Sequence, residues 1–377
     1  MPVYISNFQL IRPCFQIDQE NSLEWIAKAH ACAEKAQTGT LDPHFYEELK
    51  GRLFRLGFGK KKIDSRGIQI KDLLHTDWSA MAVYPLNKMP HGMGFKQRSL
   101  VFDTEVSKIF EDFYPDHIPL PDHLIHVTCT GYVAPSPAQK IVSQKQQGQT
   151  TLVTHAYHMG CYASIPALRI GSGTLQTSAP CRVDIVHTEL CSLHMHPLKH
   201  STEQLVVQSL FADGFIKYSL ESTPPSQSQS FLSILALHEE IIPNSALGMS
   251  WSCEDHGLGM TLAKEVPALI ADALPGYLER LFQKAGVKAT DPLFYAIHPG
   301  GPKIVFQIQQ LLELNSQQLF HSQEILRTCG NMSSATLPHI WNLLLLDSAV
   351  AKGAYIVSLA FGPGLSISGG VFEKKEV

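Results

Sequence analysis

Three residues in three short motifs carry side chains that could do chemistry together. Cys161 stands in His158-Met159-Gly160-Cys161-Tyr162. His298 opens His298-Pro299-Gly300-Gly301-Pro302, and Asn331 stands in Gly330-Asn331-Met332-Ser333-Ser334-Ala335. A thiol, an imidazole and a primary amide can hold an acyl chain as a thioester and stabilise a carbanion beside it. The thiolate is the nucleophile. Cys161 precedes a helical pattern, where unpaired N–H groups favour negative charge, and a nearby imidazolium would lower its pKa further, with His298 as the candidate. Each residue also has a plain alternative. Cys161 is one of eight cysteines and His298 one of 18 histidines, while Asn331 before two serines reads equally as a helix N-cap.

The elements that must position these groups alternate between strand and helix. Residues 124–130, 151–156 and 182–186 read as strands, and 166–170 and 201–210 as helical. Asn21-Ser22-Leu23-Glu24 resembles a capping box that opens a helix over 21–36, with Asn21 as the cap. In the second half, the strand Leu293-Phe294-Tyr295-Ala296-Ile297 leads through His298 and two glycines to a helix from Ile304 to about 312. Both Cys161 and His298 are thus expected at strand-to-helix turns of an α/β layered fold. The Pro- and Ser-rich run over 222–230 reads as a solvated loop between two halves, 1–221 and 231–377.

Bulk properties exclude several classes. The 377 residues are 44% hydrophobic and 17% charged, an ordinary globular balance. Thirty basic against 34 acidic residues give net −4, with no basic field for nucleic acid. The eight cysteines form no C-x-x-C pair, so neither a structural zinc site nor a dense disulfide framework is expected. No signal peptide is visible, and Asp347 and Lys352 interrupt the most apolar stretch, which argues against a membrane span. The default reading is a cytoplasmic protein. His194, His196 and His200 lack a matching Cys or carboxylate pattern, so a surface or pocket-lining role is expected in place of a metal site.

Taken together, Cys161 after glycine, HPGGP at 298–302 and GNMSSA at 330–335 resemble the signature of type III polyketide synthases. These are the chalcone-synthase-like branch of the thiolase superfamily. Phe361-Gly362-Pro363-Gly364-Leu365, Leu210-Phe211-Ala212-Asp213-Gly214 and Lys264-Glu265-Val266-Pro267-Ala268-Leu269-Ile270 resemble further family segments, over roughly residues 50–370. The resemblance implies a thiolase-type αβαβα fold with two similar halves, acting as a homodimer. Cys161 would accept an acyl group from coenzyme A or an acyl carrier protein, and His298 and Asn331 would stabilise the enolate of the second substrate. No tightly bound cofactor is implied, only coenzyme A or phosphopantetheine thioesters as substrates. Phe211 matches a gatekeeping aromatic, although an ordinary core phenylalanine is the alternative. Ser333, Gly362 and Pro363 fall in substrate-binding segments. Arg52, Arg55, Lys60 and Lys61 match basic positions that would receive coenzyme A phosphates or a carrier protein's acidic face. A solvated loop is the other reading of that cluster.

The chain also departs from the pattern. Ser164-Ile165 replace two glycines after the cysteine, and Trp251 stands where a pocket-lining glycine is usual. Cys191 and His194 replace two pocket threonines, Met260 a second gatekeeping phenylalanine, and Ser136 a dimer-crossing methionine. An indole in place of a hydrogen fills much of a cyclisation cavity. The expected activity is therefore a stand-alone ketosynthase joining two β-ketoacyl chains into an α-pyrone, similar to enzymes of myxobacterial pyrone antibiotic pathways. The alternatives are a decarboxylating synthase extending an acyl starter with malonyl units, and an inactive homologue serving as a scaffold.

Overall fold

His123–Thr128 and Val183–Leu190 are buried along their whole length, so the sheet they share must be covered by helices on both faces. The computed structural model describes every residue except 57, 58, 60, 61, 179, 180, 227–229 and 377. The first half runs β1 (Tyr4–Ile11), β2 (Phe15–Asp18), α1 (Gln19–Thr38), α2 (Phe45–Leu56), β3 (Ser65–Ile68), α3 (Phe95–Phe113) and β4 (His123–Thr128). It continues with α4 (Pro137–Gln144), β5 (Leu152–Tyr157), α5 (Ser164–Ser178), β6 (Val183–Leu190), α6 (Thr202–Leu210) and β7 (Asp213–Glu221). The second half runs β8 (Ser230–Ile241), β9 (Met249–Glu254), β10 (Gly257–Leu262), α7 (Val266–Ala285), β11 (Leu293–Ile297) and α8 (Pro302–Leu311). It ends with α9 (Ser316–Cys329), α10 (Thr336–Leu346), β12 (Tyr355–Gly362) and β13 (Ser366–Glu376).

Nine strands form one mixed sheet in the order β11-β12-β13-β8-β1-β7-β6-β4-β5. The N-terminal strand β1 pairs with both β7 and β8 and so joins the two halves. Each half places a parallel pairing, β4 with β6 or β11 with β12, beside an antiparallel one. Helix α5 touches β4, β6, β7 and β13, and α10 touches β7, β8 and β11, so these two form the middle layer. Their apolar side chains, among them Ile165, Leu168, Leu337, Ile340 and Trp341, fill one core between the sheet faces. Helices α1 and α3 cover the outer face of the first half, and α7 and α8 that of the second. The layered α/β order is the one expected.

Four local readings change. Helix α1 begins two residues before Asn21: Asp18 is the cap, its carboxylate accepting from the Asn21 N–H at 2.9 Å. The Asp18 side chain already satisfies one of the first orphan N–H groups, and Glu20 adds a favourable charge in the first turn. Strand β4 stops at Thr128, because the Cys129 N–H turns out of the ladder to donate to Glu189 at 3.1 Å. Helices α5 and α8 start before their predicted positions. Pro166 and Pro302 both lie in a first turn, where a missing N–H costs nothing.

Candidate active site

Cys161 lies on the single turn Gly160–Tyr162 between β5 and α5, and is 8% exposed. Gly160 has φ 78°, and a Cβ there would stand 2.9 Å from Pro363 Cδ. A Cβ at Gly362 would come within 2.2 Å of the Tyr162 ring. The loop after β12 therefore presses against the nucleophile turn, and glycine is needed at both contacts. The Cys161 Sγ is 3.8 Å from the Ser333 Oγ. Burial pushes the thiol up to about 12. The Ser333 hydroxyl and the Asn331 amide partly oppose that shift, and the Glu189 carboxylate adds to it.

His298 follows β11, is 1% exposed, and ties its backbone N–H to the Leu359 carbonyl at 2.8 Å. Burial pushes its imidazole down to about 3, so it is neutral at pH 7. The expected imidazolium beside a depressed thiol is therefore not what the folded chain holds: desolvation favours the uncharged form of both groups. Neither ring nitrogen has a hydrogen-bond partner. A neutral imidazole still offers one N–H and one lone pair.

Asn331 is fully buried, and its Oδ1 accepts from the Ser333 N–H at 2.8 Å and the Thr336 hydroxyl at 3.5 Å. That commits the oxygen and leaves Nδ2 without a hydrogen bond of normal geometry. Its backbone pairs with Phe211 in an isolated parallel bridge, and Arg66 donates to the Phe211 carbonyl at 2.7 Å. Buried polar groups are nearly always paired, so unpartnered nitrogens on both His298 and Asn331 are the mark of a site that awaits a ligand oxygen.

A cavity of about 20 Å³ adjoins the thiol. Its walls bring together Cys161, Cys191, Phe211, Trp251, Ser333 and Pro363 from the predicted set, with Met260 at the second gatekeeping position, and add Cys129, Met249 and Ser250. A second cavity of about 50 Å³ lies behind it and includes His194. The Trp251 indole N–H donates to the Cys129 carbonyl at 2.6 Å. The His194 Nδ1 accepts from the Leu258 N–H at 3.2 Å, so Nε2 carries the proton and donates to the Thr130 carbonyl at 2.8 Å. His196 likewise spends its Nε2 on the Leu258 carbonyl.

The predicted basic positions are less unified. Arg52 gives one guanidinium arm to the His200 carbonyl at 2.7 Å, Arg55 is exposed in the last turn of α2, and Lys60 and Lys61 lie outside the described residues. A groove of about 540 Å³ instead gathers Lys62, Lys303 and Arg327 around Phe306 and Phe320, with Pro299 of the His298 turn on its wall. Sequence reasoning also missed Glu189. This fully buried carboxylate accepts from Cys129 N–H, the Thr130 hydroxyl at 2.8 Å and the Ser334 hydroxyl, and so ties β6 to the turn that bears Ser333. The available signal was a carboxylate near the end of a strand pattern, one that also carries Asp184, His187 and Thr188.

Fold and site together define a thiolase-type, two-half architecture with a buried thiol at one strand end and an imidazole at the other. Residues 233–374 match the family described as chalcone and stilbene synthases, C-terminal domain. The chain is 27% identical over 255 residues to a probable polyketide synthase 1 of Dictyostelium discoideum, an alignment covering 66% of this chain and about 8% of that protein's length. Its fold is similar to PKS-I from the brown alga Ectocarpus siliculosus, with TM-score 0.82, 21% identity, and 99% and 98% of the two chains covered. It is equally similar to the C-terminal type III polyketide synthase domain of Steely1, a type I/III hybrid from Dictyostelium, with TM-score 0.81, 22% identity and 99% of each chain covered.

Proposed function

We propose that this chain is a ketosynthase of the type III polyketide synthase kind, forming a carbon–carbon bond by Claisen-type condensation through a Cys161 acyl-enzyme. The observation that carries the reading is the pair of buried side chains with unpartnered nitrogens: His298 at one strand end, and Asn331, whose amide acts on the buried Cys161 thiol at another. The first thioester transfers its acyl group to the Cys161 sulfur, and the thiol proton leaves with the pantetheine thiol. The second substrate's α-carbon loses a proton to the free nitrogen of neutral His298. Its oxygen, now enolate, is held by the Asn331 N–H donors. The enolate carbon attacks the acyl carbonyl, the C–S bond to Cys161 breaks, and the departing thiolate takes the proton back.

The small cavity at Cys161 gives little room to fold a long poly-β-keto chain, which supports one condensation per cycle. We therefore read the reaction as joining two β-ketoacyl chains. Attack of an enol oxygen on the remaining thioester then closes an α-pyrone and releases the second pantetheine thiol. The donors are acyl-CoA or acyl carrier protein, and the groove, where Arg327 is paired with Glu324, offers Lys62 and Lys303 to an anionic donor close to the His298 turn. A homodimer would have β5 to use: it is an edge of the nine-stranded sheet, with Leu152 59% exposed. No described helix is long and apolar enough to cross a membrane.

Intact mass after incubation with acyl-CoA and acyl-carrier donors tests the reading. An adduct that disappears in Cys161→Ala is expected, and absence of any adduct would sink it. Carbon dioxide release with malonyl thioester, and no product from two β-ketoacyl thioesters, would replace chain joining by decarboxylative extension. Pathway product from cells carrying Cys161→Ala would point to a scaffold.

A further inference from the structure

The two most exposed aromatic rings among the described residues stand on one groove. Phe306 on α8 is 60% exposed and Phe320 on α9 is 51% exposed, and both line the groove beside the His298 turn. Helical phase explains their exposure. Helix α8 buries Ile304, Val305 and Ile308 in the core that it shares with α7, which turns Phe306 to the opposite side. Helix α9 buries Leu319, Ser322, Ile325 and Leu326, and Phe320 falls off that face. Neither ring belongs to an apolar cluster of the core. A single exposed ring is ordinary, but two rings on neighbouring helices that face one groove are the kind of patch a protein contact uses.

The rim of the groove adds charge. Lys62 and Lys303 are both exposed, and among the described residues neither side chain has an ion-pair partner. Arg327 differs, since its guanidinium is spent on Glu324 at 2.6 and 2.8 Å. The chain as a whole carries net −4, so two unpaired lysines beside an apolar floor mark a local preference for an acidic partner. Phosphates of a free coenzyme would answer to the lysines alone and leave both rings exposed to water. An acidic amphipathic helix answers to all four side chains, with its apolar face on the rings and its carboxylates on the lysines. Pro299, next to the buried His298, stands on the same wall, so a protein seated there would present its thioester arm at the imidazole turn.

We propose that the groove between α8 and α9 is the docking site of an acyl carrier protein, which lays an acidic amphipathic helix over Phe306 and Phe320 between Lys62 and Lys303. This rests on the acyl-enzyme reading above and narrows its donor to one partner.

The test is timed intact-mass acylation of the full chain by one hexanoyl group on three donors. These are N-acetylcysteamine, coenzyme A and the acidic carrier protein of bacterial fatty-acid synthesis. The readout is the carrier-to-N-acetylcysteamine rate ratio at equal, subsaturating donor, which should be at least about tenfold in the parent. Phe306→Ser and Phe320→Ser, both at exposed positions, should each lower that ratio about tenfold, the scale of one interface anchor. Lys303→Glu should lower it as well, and added salt should depress the carrier rate more than the N-acetylcysteamine rate. Leu311→Ser, at an exposed position of α8 that does not line the groove, should leave the ratio within about twofold. A carrier donor no faster than N-acetylcysteamine overturns the docking site, as do phenylalanine variants that leave the ratio within about twofold. A groove that serves coenzyme A alone would show that second result together with a CoA rate lowered by Lys303→Glu. In each of these cases a hexanoyl adduct on Cys161 leaves the enzyme reading standing. No adduct from any donor overturns both.

Discussion

Phe211 and Asn331 are joined through their backbones: the Asn331 N–H donates to the Leu210 carbonyl at 3.0 Å, and the Ala212 N–H donates back to the Asn331 carbonyl at 2.8 Å. The side chain that walls the cavity and the amide that would hold an enolate are thus set by one piece of backbone. Arg66 fixes the same segment from behind, donating to the Gln208 and Phe211 carbonyls at 2.9 and 2.7 Å. A change in one loop is transmitted to the other as a shift of position.

The Asn331 amide turns its oxygen to the Ser333 N–H and leaves its nitrogen free, so Asn331→Ala removes a donor without removing the bridge. Turnover should fall by about 10²–10³, the usual cost of one oxyanion donor. Acylation of Cys161 should fall less, because Ser333, which lowers the thiol pKa more than the Asn331 amide does, remains. Single-turnover acylation and steady-state product formation, measured side by side, separate the two effects. An equal loss in both would show that the amide acts on the first step.

Glu189 is held as an acceptor by groups on two segments, at Cys129 and Thr130 and at Ser334, and burial pushes its pKa up. Glu189→Gln keeps the shape but replaces one acceptor oxygen with a donor, so at least one buried donor loses its partner. Such an orphan costs about 1–3 kcal/mol. Urea unfolding should show a midpoint shift of that size with the slope unchanged. A variant as stable as the parent would mean that the network tolerates a neutral acceptor.

Acid should destabilise the fold well before its carboxylates are all protonated. Burial holds His30, His187, His194 and His298 down to about 3, and His339 to about 4. A histidine with a lowered folded pKa contributes stability above its unfolded value near 6.5 and loses it as pH falls toward the folded one. At pH 5 each such group should cost about 2 kcal/mol. Asp213, pushed up to about 6, works the other way and regains about 1 kcal/mol over the same interval. The histidines outnumber it. Stability from denaturant curves should drop by several kcal/mol between pH 7 and 5, and a flat profile would contradict the buried neutral rings.

The sequence carried the elements better than the charge states. Strand β11 falls where its apolar, β-branched and aromatic run placed it, and Cys161 and His298 do sit at strand-to-helix turns. Those signals are local, and local apolar runs survive into the fold. The Phe211–Asn331 bridge joins positions far apart in the chain and leaves no local mark. The charge of His298 depends on how completely the surrounding layers exclude water, which no motif encodes. Trp251 was legible as a bulky substitution, but the carbonyl that holds its indole, on Cys129, was not.

A Cys/His ion pair would give alkylation rates that plateau from about pH 5 to 8, because the thiolate would be fully formed there. Burial of Cys161 and of His298 predicts the opposite. With the thiol pushed up to about 12 and the imidazole down to about 3, the iodoacetamide reaction of Cys161 should be slow at pH 7. It should rise about tenfold per pH unit toward alkaline pH, without an inflection near 6.5. Removing the Ser333 hydroxyl, which lowers the Cys161 pKa, should slow the reaction further at every pH, so Ser333→Ala separates a hydrogen-bond effect from a change in access. Mass mapping of the alkylated peptide keeps the other seven cysteines out of the measurement. A plateau across neutral pH would show that a charged imidazole reaches the thiol after all. A rising line would show that the thiol of the free chain is uncharged at neutral pH.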